Sequence, residues 1–255
     1  MEQLLIVLSN AESGRDDEFN EWYSFVHVRD VMRSRSAIAV QRFALADIQL
    51  PGCPIPQHRY LALYEADDHE GLTEGHAEVF TPAMPISSAF RFDDMREAYY
   101  EPLAARKAGP GPEGDGPVII ERLSLDTGPG DLVGWYSDKR LPRMTALSGV
   151  MSGQFCIVAA HQMLPTNPDA HFVAMYRVGD LEAALGAWDA ADRAEPPPFR
   201  AGSSIVAAYV PLMARLTRHA ANHPDPETAR RSMAARAALG ERIHTDFPAA
   251  FETVA

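Results

Sequence analysis

Trp22-Tyr23-Ser24 recurs as Trp135-Tyr136-Ser137, an offset of 113 residues, and this recurrence decides the reading of the fold. At the same offset Phe19 meets Leu132 and Gln41 meets Gln154. Farther along, Ala62, Tyr64 and Asp68 meet Ala174, Tyr176 and Asp180 at offset 112. Ala98, Tyr100, Pro102 and Leu103 then meet Ala207, Tyr209, Pro211 and Leu212 at offset 109. An offset that shrinks while the order persists is the mark of a tandem duplication whose loops have lost residues. The junction agrees: Gly109-Pro110-Gly111-Pro112-Glu113-Gly114-Asp115-Gly116-Pro117 carries no apolar side chain larger than proline and reads as a linker. The expected organisation is a first copy over 1–108, a linker over 109–117, a second copy over 118–216 and a tail over 217–255.

Within each copy the periodicity reads strand, helix, strand, strand, helix, strand. Leu4–Leu8 and Val118–Leu125 are short apolar runs, and Asp16–Val31 has a helical stripe of Phe19, Trp22, Tyr23, Val26, His27 and Asp30. Ala39–Leu45, Arg59–Glu65, Gln154–Ala160 and His171–Arg177 alternate as strands do. Gly71–Phe80 and Leu181–Arg193 read as helices, and Met95–Leu103 and Ile205–Leu212 as closing strands. A single βαββαβ unit covers only one face of its sheet, so a second copy has a physical reason to exist. The fold class is therefore α+β: two ferredoxin-like repeats packed sheet to sheet as an intramolecular α+β barrel, plus a C-terminal helical tail. In that tail Asp225-Pro226-Glu227 has the form of a helix start, followed by an Ala-, Arg- and Met-rich stretch from Thr228 to Ile243. A monomer suffices for this architecture, and a homodimer is expected to use the tail.

The 255 residues are 46% hydrophobic and 23% charged, with a net charge of −12, which disfavours phosphate backbones and anionic membranes as partners. The apolar start, Leu4-Leu5-Ile6-Val7-Leu8, is too short for a membrane span and follows acidic Glu2, so a cytoplasmic chain is expected. Cys53 and Cys156 make neither a disulfide framework nor a zinc set, and no His-Glu-x-x-His or Cys-x-x-Cys motif is present. Neither a phosphate-binding glycine loop nor a Gly-x-Ser-x-Gly elbow is present, so no cofactor is expected.

The stretch Glu18-Phe19-Asn20-Glu21-Trp22-Tyr23, followed by His27, Asp30 and Ala39–Phe43, resembles the EthD-like and polyketide-cyclase-like members of the dimeric α+β barrel superfamily. The resemblance covers about 3–103 and 117–213 and departs at Ser34-Arg35-Ser36, where a Leu-Pro-Gly-like turn is usual; the second copy keeps Leu147-Ser148-Gly149. It implies a small barrel protein from a group that includes cyclases, isomerases, small monooxygenases and haem-degrading enzymes.

His27 and Asp30 sit one helical turn apart on the buried stripe, where a carboxylate can orient an imidazole that exchanges protons near neutrality. The bland alternative is a satisfied core histidine beside a turn-capping aspartate. Offset 113 places Arg140 opposite His27 and Arg143 opposite Asp30, so proton chemistry is expected in the first copy only. Arg140 is read either as the binder of a carboxylate or phenolate, or as a solvent-exposed residue of a degenerate half. The expected activity is a lyase breaking C–C bonds, as in decarboxylation or aldehyde release, on a small aromatic or phenolic substrate. His27 would be the acid–base group, Asp30 its orienter, Tyr23 a hydrogen-bond donor and Trp22 a wall. Further substrate-binding candidates are His58, Tyr60, His76 and Arg140. A cyclase or isomerase, a small monooxygenase or haem-binding barrel, and a non-catalytic ligand-binding barrel are the alternatives.

Overall fold

The structure is a computed structural model that describes residues 3–33, 37–66, 79, 81–108, 115–124, 132–162, 170–198 and 204–245. Eight strands carry the fold: β1 (Gln3–Ser9), β2 (Ala39–Leu45), β3 (Tyr60–Ala66), β4 (Arg96–Lys107), β5 (Val118–Leu123), β6 (Val150–Val158), β7 (Phe172–Val178) and β8 (Ser204–Pro211). Their order is β3-β1-β4-β6-β7-β5-β8-β2, and β2 pairs back to β3, so the sheet closes into an antiparallel barrel. A ninth short strand, β9 (Leu216–Thr217), adds to β2 outside the ring. The first four strands run in the order β4-β1-β3-β2 and the next four in the matching order β8-β5-β7-β6.

The α+β barrel expected from sequence is present, and its two groups of strands join edge to edge by backbone pairing at β4–β6 and β2–β8. The reason is length. β4 runs to Lys107 and β6 begins at Val150, each beyond the periodic apolar segment, and the surplus residues pair with one another. Closure removes every free edge from the eight-stranded ring, which is what an otherwise exposed β4 edge would need. The period of two then sorts side chains to two sides. Leu4, Ile6 and Leu8 point inward to a packed interior shared with Phe43, Leu63, Ile120, Val173 and Tyr209. Leu5 and Val7 point outward against a helical layer.

That layer over the first four strands is one continuous helical run. It begins as α1 (Asp16–Trp22), widens to a π-helical stretch Tyr23–His27, and resumes as α2 (Val28–Arg33). Over the next four strands α3 (Leu132–Trp135), a π-helical stretch Tyr136–Arg140 and α4 (Leu141–Thr145) repeat the pattern. Both π stretches lie where the Trp-Tyr-Ser repeat places them, at offset 113. α4 sits so close to β6 that a Cβ on Gly153 would come within 2.8 Å of Leu141 and 2.9 Å of Thr145 and Tyr176. The turn after α4 needs Gly149, whose φ is 80°. α5 (Leu181–Ala194), capped by Asp180, covers the second group.

The tail forms α6 (Arg218–Asn222) and α7 (Pro226–Leu239), the latter capped by Asp225 as the Asp-Pro start implied. α7 lies across the first helical run, with Arg231 ion-paired to Glu21 and Arg236 to Asp30, and Arg242, just past its end, pairs with Glu18. Its inner face is thus used within the chain. The expected helix Gly71–Phe80, the turn Ser34–Ser36 and most of the linker lie outside the described residues, as does His76. Among the described residues no helix is long and apolar enough to cross a membrane.

Candidate functional site

One row of residues runs straight across the outer face of the first four strands: Arg42 on β2, Ala62 on β3, Val7 on β1 and Glu97 on β4. Three strand spacings separate its ends, roughly 14 Å. Two small side chains lie between a cation and a carboxyl. The π-helical stretch roofs the Arg42 end of this row, with the Tyr23 ring and the Ser24 hydroxyl both against the guanidinium.

Arg42 is 1% exposed. Its guanidinium lies 4.2 Å from the centre of the Tyr23 ring and 5.2 Å from that of Phe19. It donates to Ser24 Oγ at 2.6 Å, Asn20 Oδ1 at 2.9 Å and the Asn20 carbonyl at 3.3 Å, all neutral acceptors. Burial pushes this guanidinium down to about 10, offset in part by the neighbouring tyrosines, so it remains cationic at neutral pH. Tyr64 donates its hydroxyl to Tyr23 at 3.3 Å. Burial raises Tyr23 to about 12 and also raises Tyr64; both phenols feel Arg42, which favours their ionisation, and Glu97, which opposes it. The tyrosine pair therefore sits between the two charged ends of the row.

Glu97 is the group with chemistry near neutrality. Burial holds its carboxyl up to about 7. It is nevertheless only half-buried by accessible surface, as is His27, while Tyr23, Tyr64 and Arg42 are sealed. The His27 ring stands edge-on to Tyr23 at 4.8 Å between centroids and tilts against Trp22 at 5.1 Å.

The structure disperses the other residues singled out by sequence. Trp22 donates its indole N–H to the Pro85 carbonyl at 2.9 Å and packs beside His27 and Tyr23. Tyr60 donates to Asp16 at 2.5 Å and accepts from Asn20, which places it above Arg42 as a brace. Asp30 accepts from Arg33 and Arg236, facing the tail. His58 is 1% exposed, its Nε2 is 2.7 Å from the Asp94 carbonyl, and burial lowers its pKa. Arg140 is not solvent-exposed, as one of its two readings held; it is 1% exposed and its acids come from this chain, Glu121 at 3.2 Å and Asp192. Glu121 also accepts from Tyr136 at 2.6 Å, which bonds Tyr176 at 2.6 Å.

Sequence reasoning missed Arg42 and Glu97. A signal existed: at the repeat offsets Arg42 meets Phe155 and Glu97 meets Val206, so each charged residue stands where the other copy is apolar.

No family model matches the chain, and no curated protein matches it. Solved structures do. An anthrone oxidase-like protein superposes with a TM-score of 0.54 at 10% identity, covering 85% of this chain and 93% of its own. A putative monooxygenase from Lactobacillus acidophilus NCFM gives a TM-score of 0.52 at 6% identity, covering 85% and 96%. The chain has their fold. At such identities the likeness concerns the antiparallel α+β barrel and its helical cover, not the residues of the row.

Proposed function

We propose that this barrel is an oxidase or small monooxygenase that acts on a small phenolic or aromatic substrate without a bound cofactor. The observation that carries the reading is the row from Arg42 to Glu97, with its tyrosine pair. Glu97, poised at about 7, takes a proton from an acidic C–H or O–H of the substrate. The cationic Arg42, acting through Tyr23 and Tyr64, favours the phenolate or enolate that results. Such an electron-rich carbanion adds dioxygen and takes up a proton to form a hydroperoxide, which loses water to leave a carbonyl, so the substrate supplies the electrons and no outside reductant is needed; the apolar layer of Phe19, Trp22 and Phe90 excludes bulk water meanwhile. His27, at the exposed edge, relays the proton to solvent. The fold shared with an anthrone oxidase-like protein and a putative monooxygenase supports oxygen as co-substrate in place of the C–C cleavage expected from sequence. Residues 1–108 and 118–216 are read as two ferredoxin-like repeats of EthD-like ancestry, of which the first keeps the chemistry.

The test is oxygen consumption by the purified protein with a panel of hydroxylated aromatics and anthrones, alongside absorption spectra. The expected result is substrate-dependent oxygen uptake without a Soret band, lowered ~10²–10⁴-fold in Glu97→Gln and in His27→Ala. Product formation that continues without oxygen restores the lyase reading. A Soret band in the purified protein makes it a haem barrel.

A further inference from the structure

A second site lies on the opposite side of the same helical run. Between α2 and α7, beside the place where α7 packs on the π-helical stretch, a cavity of about 240 Å³ is bounded by Arg29 and Arg33 from α2 and by Ser232 and Arg236 from α7, with Phe25 and Met233 as apolar walls. Asp30 also borders it and is taken up by Arg33 and Arg236. Three guanidinium groups thus face one carboxylate.

Arg29 is the decisive residue. It is 7% exposed, and neither its Nε nor its Nη1 has a hydrogen-bond partner. Ser232 Oγ is buried without a partner in the same wall. Burial and the adjacent Arg33 both push the Arg29 guanidinium down, while Asp225, occupied in capping α7, opposes this from a distance. A buried cation with unmade hydrogen bonds is costly, and folded chains retain one where something else completes it. The missing partner is an acceptor with negative charge. The cavity holds roughly eight waters' worth of space, enough for a ring-sized acid and too little for a nucleotide.

We propose that the cavity between α2 and α7 binds a small organic oxyanion, its acid group on Arg29, Arg33 and Ser232 and its apolar body between Phe25 and Met233. Planar bidentate geometry makes a guanidinium the natural receptor for a carboxylate or a phosphate. The ligand closes α7 onto α2, next to the π-helical stretch that roofs the Arg42 end of the row. The site stands independently of the oxidase reading, since it shares no residue with that row.

Thermal unfolding of the full chain tests it, with benzoate and inorganic phosphate each added against sodium chloride of equal ionic strength. The expected result is a melting temperature that rises with benzoate concentration, because a ligand bound only to the folded state stabilises it. Arg29→Met abolishes the rise, while its own melting temperature without ligand equals or exceeds that of the parent, since an unpartnered buried charge has been removed. Arg236→Gln weakens the response without abolishing it. A rise with phosphate and not benzoate assigns the site to a phosphate group. No response to either anion, or a response that survives in Arg29→Met, overturns the proposal. So does a large loss of stability in Arg29→Met without ligand, which would make Arg29 a structural brace.

Discussion

Replacing Glu97 with glutamine should change how stability depends on pH, and the size of the change follows from the carboxyl's environment. Unfolded, the group titrates near 4.5; folded, burial holds it up to about 7. The native state therefore binds the proton more tightly than the unfolded chain throughout that interval. Stability associated with the group is fully present below about 4.5, falls as pH rises, and is gone above about 7. Each tenfold difference in proton affinity between the two states is worth ~1.4 kcal/mol, so the total is about 3 kcal/mol. Glutamine keeps the shape and removes the titration. Urea unfolding of the parent and of Glu97→Gln, from about pH 4 to about pH 8, reads the difference directly. The parent should lose about 3 kcal/mol relative to the variant across that range, so that the variant is the more stable protein on the alkaline side. Turnover should show the same group: the acid limb near neutrality in the parent disappears along with most of the activity in Glu97→Gln. A stability difference that stays constant with pH would refute the argument, because it would mean that Glu97 ionises in the folded protein as readily as in the unfolded one.

Three further outcomes follow from the packing. Arg140→Met leaves Glu121 buried without its cation and should cost ~3–5 kcal/mol in urea unfolding; a loss under about 1 kcal/mol would show that the pair is solvated. Arg42→Met should behave differently, since the acceptors it leaves, Ser24 and Asn20, are neutral: stability near that of the parent, with turnover lost, is expected, and retained turnover would remove Arg42 from the reaction. Gly153→Val drives a side chain into Leu141, Thr145 and Tyr176 and should destabilise by ~1–3 kcal/mol, measured by the same unfolding midpoint.

Strand positions were legible because half-buried strands announce themselves by alternation: β2 spans Ala39–Leu45, the segment whose pattern predicts it. What alternation cannot report is pairing between distant segments. The residues beyond Leu103 in β4 and before Gln154 in β6 are charged or small, so nothing local marks them as strand, and only their mutual pairing makes them so. Which strand edges close the barrel was illegible for that reason. The candidate site divides along a similar line. Trp22, Tyr23 and His27 lie on one helix and were visible as a stripe. Arg42 and Glu97 come from different strands, 55 positions apart, and become a pair only through the register of β2, β3, β1 and β4. Charged residues in strands are normally read as solvent-facing, and these two are covered by the helical layer. Asp30 lies on the same stripe and accepts from Arg33 and from Arg236 of α7, a long-range neighbour that no local pattern announces.

The asymmetry between the two halves has a physical form. The row Arg42, Ala62, Val7, Glu97 corresponds position by position to Phe155, Ala174, Glu121, Val206. Each row holds one carboxyl beneath a tyrosine pair, but on adjacent strands. The cation has moved too, from the strand position of Arg42 to the helix position of Arg140, which His27 occupies in the first half. In the second half these moves bring opposite charges into contact. Arg140 meets Glu121 at 3.2 Å and Asp192, and Phe155 stacks on Tyr136 at 4.1 Å where Arg42 covers Tyr23 in the first. Burial would lower the Arg140 guanidinium, and its two carboxylate partners more than reverse this, so its proton is locked in place. A network whose one cation is held by two carboxylates has no positive charge left to offer a substrate. In the first half Arg42 is held by neutral groups and Glu97 lies three strands away, so the cation stays able to favour an anion and the carboxyl stays able to exchange a proton. The same fold thus carries one half whose buried cation is ion-paired and one whose cation and carboxyl are held apart, and the difference lies in which row positions carry charge.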